Sequence, residues 1–189
     1  KQDEAVDLFS KAINLGSYNM ESRNDAYFWR GESYYRKGDY RQAISDYRTY
    51  LNNPRQRNTD MYALAHYNLG YCYFKLKEYG EAQNRFRQYI NLENNQQAPA
   101  LADAYNRIGD CLYQNRQFAQ AEENYTRAAQ LQPSAGDYSV YQKGFLLGLQ
   151  KDYRGKISAM DRLLRDYPES QYVDDALFEK GRSYVLLEN

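Results

Sequence analysis

The sequence predicts an all-α fold in which about ten helices stack as antiparallel pairs in a solenoid. The first observation behind this prediction is glycine at positions 31, 70, 109, 144 and 181, at spacings of 35 to 39 residues. The second is that apolar residues accompany each glycine at fixed offsets with helical spacing. The third is that short segments rich in Asn, Pro and Gly separate the apolar stretches.

The offsets around the glycines indicate a repeat. Five residues before them stand the small residues Ala26, Ala65, Ala104, Ser139 and Ala176. Three residues after them stand Tyr34, Tyr73, Leu112, Leu147 and Tyr184, and sixteen after the first four stand Tyr47, Phe86, Tyr125 and Met160. Twelve residues after glycine stand Ala43, Ala82 and Ala121, and Lys156 breaks this series. Insertions fall only between units, which predicts modules of two helices joined by loops.

The predicted elements follow in order along a single solenoid domain. Residues 1–16 are predicted to form a second helix without its first, because Ala5, Phe9 and Ala12 share one helix face. Full repeats are predicted at 24–53, 59–93, 98–132 and 137–167, and a first helix without its second at 171–187. Neither end resembles a polar capping helix, so we expect a piece of a longer array with a partly exposed apolar face at both edges.

Turn-forming residues bound the predicted helices. Turns inside the repeats are predicted at Lys37-Gly38-Asp39, Lys77-Glu78, Asn115-Arg116 and Lys151-Asp152. Joints between repeats are predicted at Asn52-Asn53-Pro54, 94–99, 133–136 and 168–170. Because short turns reverse the direction of the chain, neighbouring helices should run antiparallel.

The offsets match the signature of a known helical repeat. The third unit carries Tyr105, Ile108-Gly109, Ala121, Tyr125, Ala128 and Pro133, a set that resembles the tetratricopeptide repeat (TPR). The second unit matches it at Leu69-Gly70, Tyr73, Ala82 and Phe86. The fourth unit is the loosest, with Lys143 before Gly144 and Lys156 in place of alanine. The resemblance covers essentially the whole chain and implies a right-handed superhelix of helix pairs.

The resemblance also implies a candidate binding surface, because the first helix of each TPR lines a concave groove. The candidate residues at the groove-facing offsets are Phe28, Trp29, Tyr35, Tyr67, Tyr71, Phe74, Asn106, Arg107, Tyr113, Tyr141 and Phe145. Aromatic side chains offer large rigid contact areas and dominate many protein interfaces. The implied function is therefore a non-catalytic scaffold that binds a protein or peptide segment in this groove.

Two alternatives to a binding groove remain open from the sequence. Adjacent first helices would bury the aromatic strip if they packed closely, and the segment would then be an architectural spacer of a larger TPR protein. Exposed rows of aromatic rings also stack on sugars, which would favour carbohydrate binding.

Composition argues against several other functions. The 25 Lys and Arg residues balance 25 Asp and Glu residues, so nothing favours nucleic acid as a partner. No apolar run reaches the roughly 18 residues of a transmembrane helix, so we expect no direct membrane insertion of this segment. His66 is the only histidine and is expected in the core, while Cys72 and Cys111 are expected to be buried and unpaired. With no Cys-x-x-Cys and no phosphate-binding loop, we expect no metal, no cofactor and no enzymatic activity.

Two subgroups of the TPR family suggest different settings. One clamps the acidic carboxyl ends of chaperones, and the groove positions Asn68 and Arg107 suit it, whereas Phe28 and Glu32 do not. The other comprises bacterial cell-envelope proteins of the outer-membrane assembly lipoprotein and Tol–Pal-associated kind. The last joint resembles theirs at Tyr167, Pro168, Ser170, Tyr172, Ala176 and Gly181. This resemblance favours the bacterial periplasm or cell envelope over the cytoplasm.

Overall fold

The computed structural model describes residues 1–15, 20–53, 57, 59–95 and 97–188, apart from the side chains of Met20 and Glu21. Across these residues the chain is helical and has no strand, which confirms the predicted all-α class. The helices are α1 (Gln2–Asn14), α2 (Met20–Lys37), α3 (Tyr40–Leu51), α4 (Asp60–Lys75), α5 (Tyr79–Leu92), α6 (Pro99–Gln114), α7 (Phe118–Leu131), α8 (Asp137–Leu149), α9 (Tyr153–Asp166) and α10 (Val173–Leu187). The predicted boundary and joint residues Gly16, Pro54 and Gln96 lie outside the described residues.

The chain divides into two compact units. Unit 1 spans Lys1–Asn94 and holds α1 to α5, and unit 2 spans Asn95–Asn189 and holds α6 to α10. Within each unit, every helix packs against the next one along the chain. The predicted division into full and incomplete repeats is finer than these two units and stays a prediction.

The pairs α2/α3, α4/α5, α6/α7 and α8/α9 are closed by the same turn. Its left-handed residue lies seven positions after the repeat glycine and is Gly38 (φ 86°), Lys77 (φ 60°), Arg116 (φ 59°) or Lys151 (φ 65°). The amide of Arg116 donates to the carbonyl of Tyr113, and the amide of Gln117 donates to that of Leu112, both at 2.9 Å. The other three turns repeat both hydrogen bonds. Together they satisfy the last carbonyls of the first helix while the chain reverses.

Repeat glycines lie where the two helices of a pair approach closely. A methyl group added at Gly109 would lie 2.6 Å from the ring of Tyr125, and one added at Gly70 would lie 2.9 Å from the ring of Phe86. The aromatic ring sixteen residues later therefore packs directly on bare helix backbone in these pairs. At Gly181 in α10, no described atom lies within 4 Å of an added methyl group.

Small residues and aromatic rings fill the space between paired helices. Ala43, Ala82 and Ala121 are fully buried, and so are the rings of Tyr47, Phe86 and Tyr125 in the same three repeats. Large apolar side chains that stay exposed include Leu177 and Phe178 on α10. None of the described helices combines the length and the apolar character that crossing a bilayer requires.

Candidate functional site

The predicted site residues of unit 1 lie on α2 and α4, and one of them is buried. Phe28 is only 2% exposed, because its ring packs against Tyr47 and Tyr50 of α3 at centroid distances of 5.6 and 5.4 Å. The expectation that Phe28 belongs to a binding surface is therefore corrected, since the ring is part of the α2/α3 core. Its neighbour Trp29 is 47% exposed.

Tyr35 of α2 and Tyr67 and Tyr71 of α4 form a half-buried cluster. The ring centroids of Tyr67 and Tyr71 are 5.1 Å apart, and those of Tyr35 and Tyr71 are 6.5 Å apart, both edge to face. With Glu32 and Asn68 these rings line a pocket of about 190 Å³, which we call the tyrosine pocket. All five lining residues occupy positions that the TPR resemblance assigns to the groove.

Glu32 connects the tyrosine pocket to the core of the α2/α3 pair. The hydroxyl of buried Tyr47 and the side-chain amide of Asn68 donate to Oε2 of Glu32, at 3.1 and 3.4 Å. Nε of Arg36 donates to Oε1 at 2.7 Å. Burial, reinforced by the Glu32 carboxylate, raises the pKa of Tyr47 above its usual range, so this phenol remains a donor. The Glu32 side chain is still 22% exposed.

The rings around the pocket are supported from behind by α5. Tyr71 and Tyr67 contact the buried ring of Phe86 at centroid distances of 5.3 and 5.8 Å. Phe74, farther along α4, contacts Tyr79 at 5.8 Å and is half-buried. Each ring thus packs partly on its helix pair and keeps part of its area at the surface. We call Trp29, Tyr35, Tyr67, Tyr71 and Phe74 the α2–α4 strip.

In unit 2, the polar members of the predicted site lie on α6 and are committed to intramolecular contacts. Asn106 is buried, and its side-chain oxygen accepts a hydrogen bond from Oγ of Ser139 at 2.9 Å. Nη1 of Arg107 lies 2.7 Å from Oδ2 of Asp110, and its guanidinium is 4.9 Å from the ring centroid of Tyr138. The expectation that Asn106 belongs to a binding surface is therefore corrected as well.

Asp110 is the unit 2 counterpart of Glu32, one residue after the repeat glycine. Its Oδ1 accepts hydrogen bonds from the hydroxyls of Tyr125 and Tyr138, at 2.8 and 2.6 Å. Burial raises the pKa of Asp110, while Arg107 and the two hydroxyls oppose that shift. Both carboxylate oxygens of Asp110 are therefore engaged within the protein.

These carboxylate–tyrosine pairs were missed by the sequence analysis, although a signal for them was present. Two repeats carry both an acid one residue after glycine and a tyrosine sixteen residues after it, namely Glu32 with Tyr47 and Asp110 with Tyr125. Where the later residue is Phe86, which has no hydroxyl, the earlier one is Tyr71. The residue types at these two offsets thus change together between repeats, which indicates a hydrogen bond between the acid and the tyrosine. Tyr138, the second donor to Asp110, carried no comparable signal.

Tyr113, Tyr141 and Phe145 complete the predicted site and are half-buried. Tyr141 stacks on Tyr172 with the ring centroids 4.9 Å apart and the planes 15° from parallel. Tyr113 contacts Phe145 at 6.4 Å. These three rings form a second partly exposed aromatic surface, which belongs to unit 2 alone.

A buried ion pair lies beside Phe145 and explains the irregular fourth repeat. Lys156 of α9 and Glu179 of α10 are both buried and form this ion pair. The lysine stem crosses Gly148, where an added methyl group would lie 2.7 Å from Cδ of Lys156. In the three earlier repeats, the position of Lys156 holds alanine and the position of Gly148 holds an aromatic residue. In the fourth repeat, the lysine stem from the second helix, α9, therefore fills the space that an aromatic ring on the first helix occupies in the other repeats.

A larger pocket, of about 1020 Å³, lies in unit 2 between α7, α8 and α9, and none of the predicted site residues lines it. Its wall includes Val140 and Lys143 of α8 and Ile157 of α9. Nζ of Lys143 lies 3.2 Å from Oε1 of Glu122. The α8 face at this pocket differs from the face that carries Tyr141 and Phe145.

The cysteines and the histidine are buried. Burial raises the pKa of Cys72 and of Cys111 to about 12, so both unpaired thiols stay protonated and are poor nucleophiles. Burial also lowers the pKa of His66 to about 4, which keeps its ring neutral at neutral pH. In the described ranges, no group of three or more His, Cys, Asp or Glu side chains is placed to hold a metal ion.

Family models match three parts of the sequence. Residues 1–89 match the model described as anaphase-promoting complex, cyclosome, subunit 3. Residues 102–135 and residues 138–170 each match a model described as tetratricopeptide repeat. The search of curated proteins finds no match.

Solved structures with similar folds include three helical proteins. The apo form of RapI has a TM-score of 0.87 at 14% identity, over 99% of this chain and 55% of RapI. MamA has a TM-score of 0.76 at 18% identity, over 89% of this chain and 90% of MamA. YrrB, described as a TPR protein with an unusual peptide-binding site, has a TM-score of 0.71 at 20% identity, over 96% of this chain and 84% of YrrB. At these identities the likeness shows the fold alone.

Proposed function

Because the chain contains tetratricopeptide repeats, we propose that it is a non-catalytic scaffold that binds a segment of a partner protein on the α2–α4 strip. The tyrosine pocket carries this proposal, since it gives the strip a recess that a side chain of the partner can enter. YrrB, one protein of similar fold, is described as having a peptide-binding site, which supports the class of function.

The chemistry of the strip suits a protein partner. Half-buried tyrosines lose little side-chain entropy on binding, because the packing of Tyr67 and Tyr71 on Phe86 already orders them. Each phenol combines apolar ring area with a polar hydroxyl. Trp29 adds an exposed indole at the α2 end of the strip. Tyr113, Tyr141 and Phe145 provide a second candidate surface on unit 2.

The test compares a strip variant with a matched control. Peptides are selected against the purified chain from a phage-displayed random library, and their affinities are measured by fluorescence polarisation. Tyr71→Ala combined with Phe74→Ala should weaken binding about tenfold or more, while the unfolding midpoint falls by only a few degrees. Leu177→Ala combined with Phe178→Ala removes exposed apolar side chains from α10 and should leave the affinity unchanged.

The spacer hypothesis predicts the opposite pattern. If the strip only supports packing, no selected peptide depends on it, and the Tyr71 and Phe74 variant unfolds early. Carbohydrate binding stays a prediction from the sequence. Binding on a glycan array that is abolished by Trp29→Ala would support it over a protein ligand.

We also propose, from the joint motif alone, that the chain works in a bacterial cell envelope. In the structure the motif residues hold the joint together, which is a structural role. The hydroxyl of Tyr167 donates to the carbonyl of Pro133, and Oγ of Ser170 donates to Oδ2 of Asp137, both at 2.6 Å. Fractionation of the source cells tests the compartment, and recovery of the full-length protein only in the cytoplasm would contradict it.

A further inference from the structure

We propose that the tyrosine pocket binds a basic side chain, lysine or arginine, of the partner segment. This inference rests on the proposed scaffold function and specifies the chemistry that the partner must bring. The pocket walls combine the rings of Tyr35, Tyr67 and Tyr71 with the carboxylate of Glu32. Aromatic faces and a carboxylate both attract cations, so the lining chemistry is complementary to positive charge.

The carboxylate of Glu32 retains acceptor capacity. An ionised carboxylate has about four acceptor positions. Among the described residues, three donors reach it, namely Tyr47 and Asn68 at Oε2 and Arg36 at Oε1. Oε1 therefore keeps room for a further donor. A cation in the pocket would gain a charge-assisted hydrogen bond there.

Arg36 does not close the pocket to a ligand cation. Its side chain is 60% exposed, and it is bound to Glu32 four residues earlier on the same helix. Exposed ion pairs of this kind contribute little stability and exchange readily with solvent. A lysine or arginine that enters from the partner can therefore share the carboxylate with Arg36 or displace it.

Unit 2 contains an internal example of this kind of recognition. There, Arg107 binds the equivalent carboxylate, Asp110, and lies over the ring of Tyr138. Arg107 stands three residues before Asp110, and the residue three before Glu32 is Trp29. Unit 1 thus has the carboxylate and aromatic rings, but an indole at the position of Arg107, and the one guanidinium at its carboxylate among the described residues is that of exposed Arg36. The partner's basic side chain would take the corresponding role in the tyrosine pocket.

The pocket is large enough for such a side chain. Its volume of about 190 Å³ corresponds to roughly six water molecules at about 30 Å³ each. A four-carbon stem with an ammonium group, or a guanidinium stacked on one ring, fits that space. Tyrosine rings would contact the aliphatic stem, and Glu32 would bind the charged end.

The binding of small probes tests the pocket directly. N-acetyl-lysine methylamide, N-acetyl-arginine methylamide and the neutral N-acetyl-norleucine methylamide are each titrated into the chain, and tyrosine ring signals are followed by NMR. The two cationic probes should shift the signals of Tyr35, Tyr67 and Tyr71, and norleucine should bind about tenfold more weakly. Added salt should weaken the cationic probes only. Equal binding of norleucine, or shifts confined to unit 2, would overturn the proposal.

Three variants separate charge recognition from structural effects. Glu32→Gln keeps the shape of the side chain and should lower cation affinity about tenfold. Arg36→Ala removes the competing cation from an exposed site and should raise the affinity a few-fold. Asp110→Asn is the matched control in unit 2 and should leave the affinity of the tyrosine pocket for the cationic probes unchanged. If Glu32→Gln does not fold, Arg36→Ala decides, since unchanged or reduced affinity there contradicts the proposal.

The outcomes distinguish this inference from the scaffold function itself. Selected peptides that bind through the strip but carry no basic residue would overturn cation recognition and leave the scaffold function intact. Probe binding in the pocket without any selected peptide would support cation recognition and contradict the scaffold function. The relative affinities of the lysine and arginine probes identify which basic residue the partner uses.

Discussion

The α2/α3 pair of unit 1 and the α6/α7 pair of unit 2 contain the same tyrosine–carboxylate hydrogen bond in different surroundings. In both, a tyrosine hydroxyl from the second helix donates to a carboxylate next to the repeat glycine, Glu32 in unit 1 and Asp110 in unit 2. Asp110 is also bound by Arg107 and Tyr138, so its side chain is 11% exposed, compared with 22% for Glu32. The residue one position after the repeat glycine is thus enclosed in unit 2, whereas in unit 1 it lines the tyrosine pocket.

This difference arises from the neighbours of each carboxylate. In unit 2, Arg107 and Tyr138 both bind Asp110. In unit 1 the position of Arg107 holds Trp29, and Glu32 is paired instead with the exposed side chain of Arg36. Under the proposed function, changes in the residues around one repeat position would turn a packing contact into a recognition site. The helix pair itself need not change.

The largest effect that we predict concerns the buried charges of unit 2. Glu179→Ala would leave the ammonium of Lys156 buried without its partner, and we expect a loss of about 3 kcal/mol or more in the free energy of unfolding. The double variant Lys156→Met with Glu179→Leu should lie within about 1.5 kcal/mol of the original chain, because no buried charge remains. Urea unfolding followed by circular dichroism measures both. If Glu179→Ala lowered the free energy of unfolding by less than about 1 kcal/mol, as the loss of an exposed ion pair does, the Lys156–Glu179 pair would not be buried.

The second prediction tests the comparison between the two carboxylates. Asp110→Ala removes the acceptor of two tyrosine hydroxyls and the partner of Arg107, so we expect a loss of about 2 to 3 kcal/mol. Glu32→Ala should cost about 1 kcal/mol, because only one of the groups that lose Glu32, the hydroxyl of Tyr47, is buried, whereas Arg36 is exposed. Urea unfolding of the two variants gives the difference. Equal losses would mean that Glu32 is as enclosed as Asp110.

The third prediction compares the glycines beneath the two tyrosines. An added methyl group would lie 2.6 Å from the Tyr125 ring at Gly109 but 3.2 Å from the Tyr47 ring at Gly31. We expect Gly109→Ala to cost about 2 kcal/mol and Gly31→Ala about half as much, since its ring needs to move less. The methyl group of Gly181→Ala would contact no described atom, so this change should stabilise α10 by about 0.5 to 1 kcal/mol. Thermal unfolding ranks the three variants, and a reversed order for Gly109 and Gly31 would contradict the packing.

Helical periodicity and the glycine offsets predicted the all-α class because they depend on contacts inside one helix pair. A small residue, a glycine and a ring sixteen residues later must meet whenever the two helices cross, as Gly70 and Phe86 do. Such contacts repeat with the sequence, so one sequence is sufficient to find them. The helix bounds follow from the same pattern and from the turns.

The groove assignment was less reliable because exposure depends on several elements at once. Phe28 occupies a groove position in the pattern, but the presence of Tyr50 on α3 encloses its ring. Asn106 is likewise covered by Ser139 from α8, a contact set by the joint between helices. Single-helix periodicity carries no information about these neighbours. The pattern therefore assigned the candidate residues to their helices but could not show that Phe28 and Asn106 are buried.

The smallest effects that we predict come from the turn that closes each pair. Gly38 in unit 1 and Arg116 in unit 2 occupy the same left-handed position, with φ of 86° and 59°. A side chain there costs about 1 to 2 kcal/mol in backbone conformation, and glycine loses about 0.5 to 1 kcal/mol more conformational entropy on folding. Arg116→Gly should therefore stabilise unit 2 by up to about 1 kcal/mol, and Gly38→Arg should destabilise unit 1 by a similar amount.

Among the described residues, no atom lies within 4 Å of a methyl group added at Gly38, so backbone conformation decides the sign of the change at this position. The two turns belong to different units, and we expect their effects to add. The swapped double variant Gly38→Arg with Arg116→Gly should therefore lie close to the original stability. Urea unfolding of the three variants measures this cancellation. If both single substitutions changed stability in the same direction, the two turns would not be equivalent, and the side chain of Arg116 would have to contribute a contact of its own to unit 2.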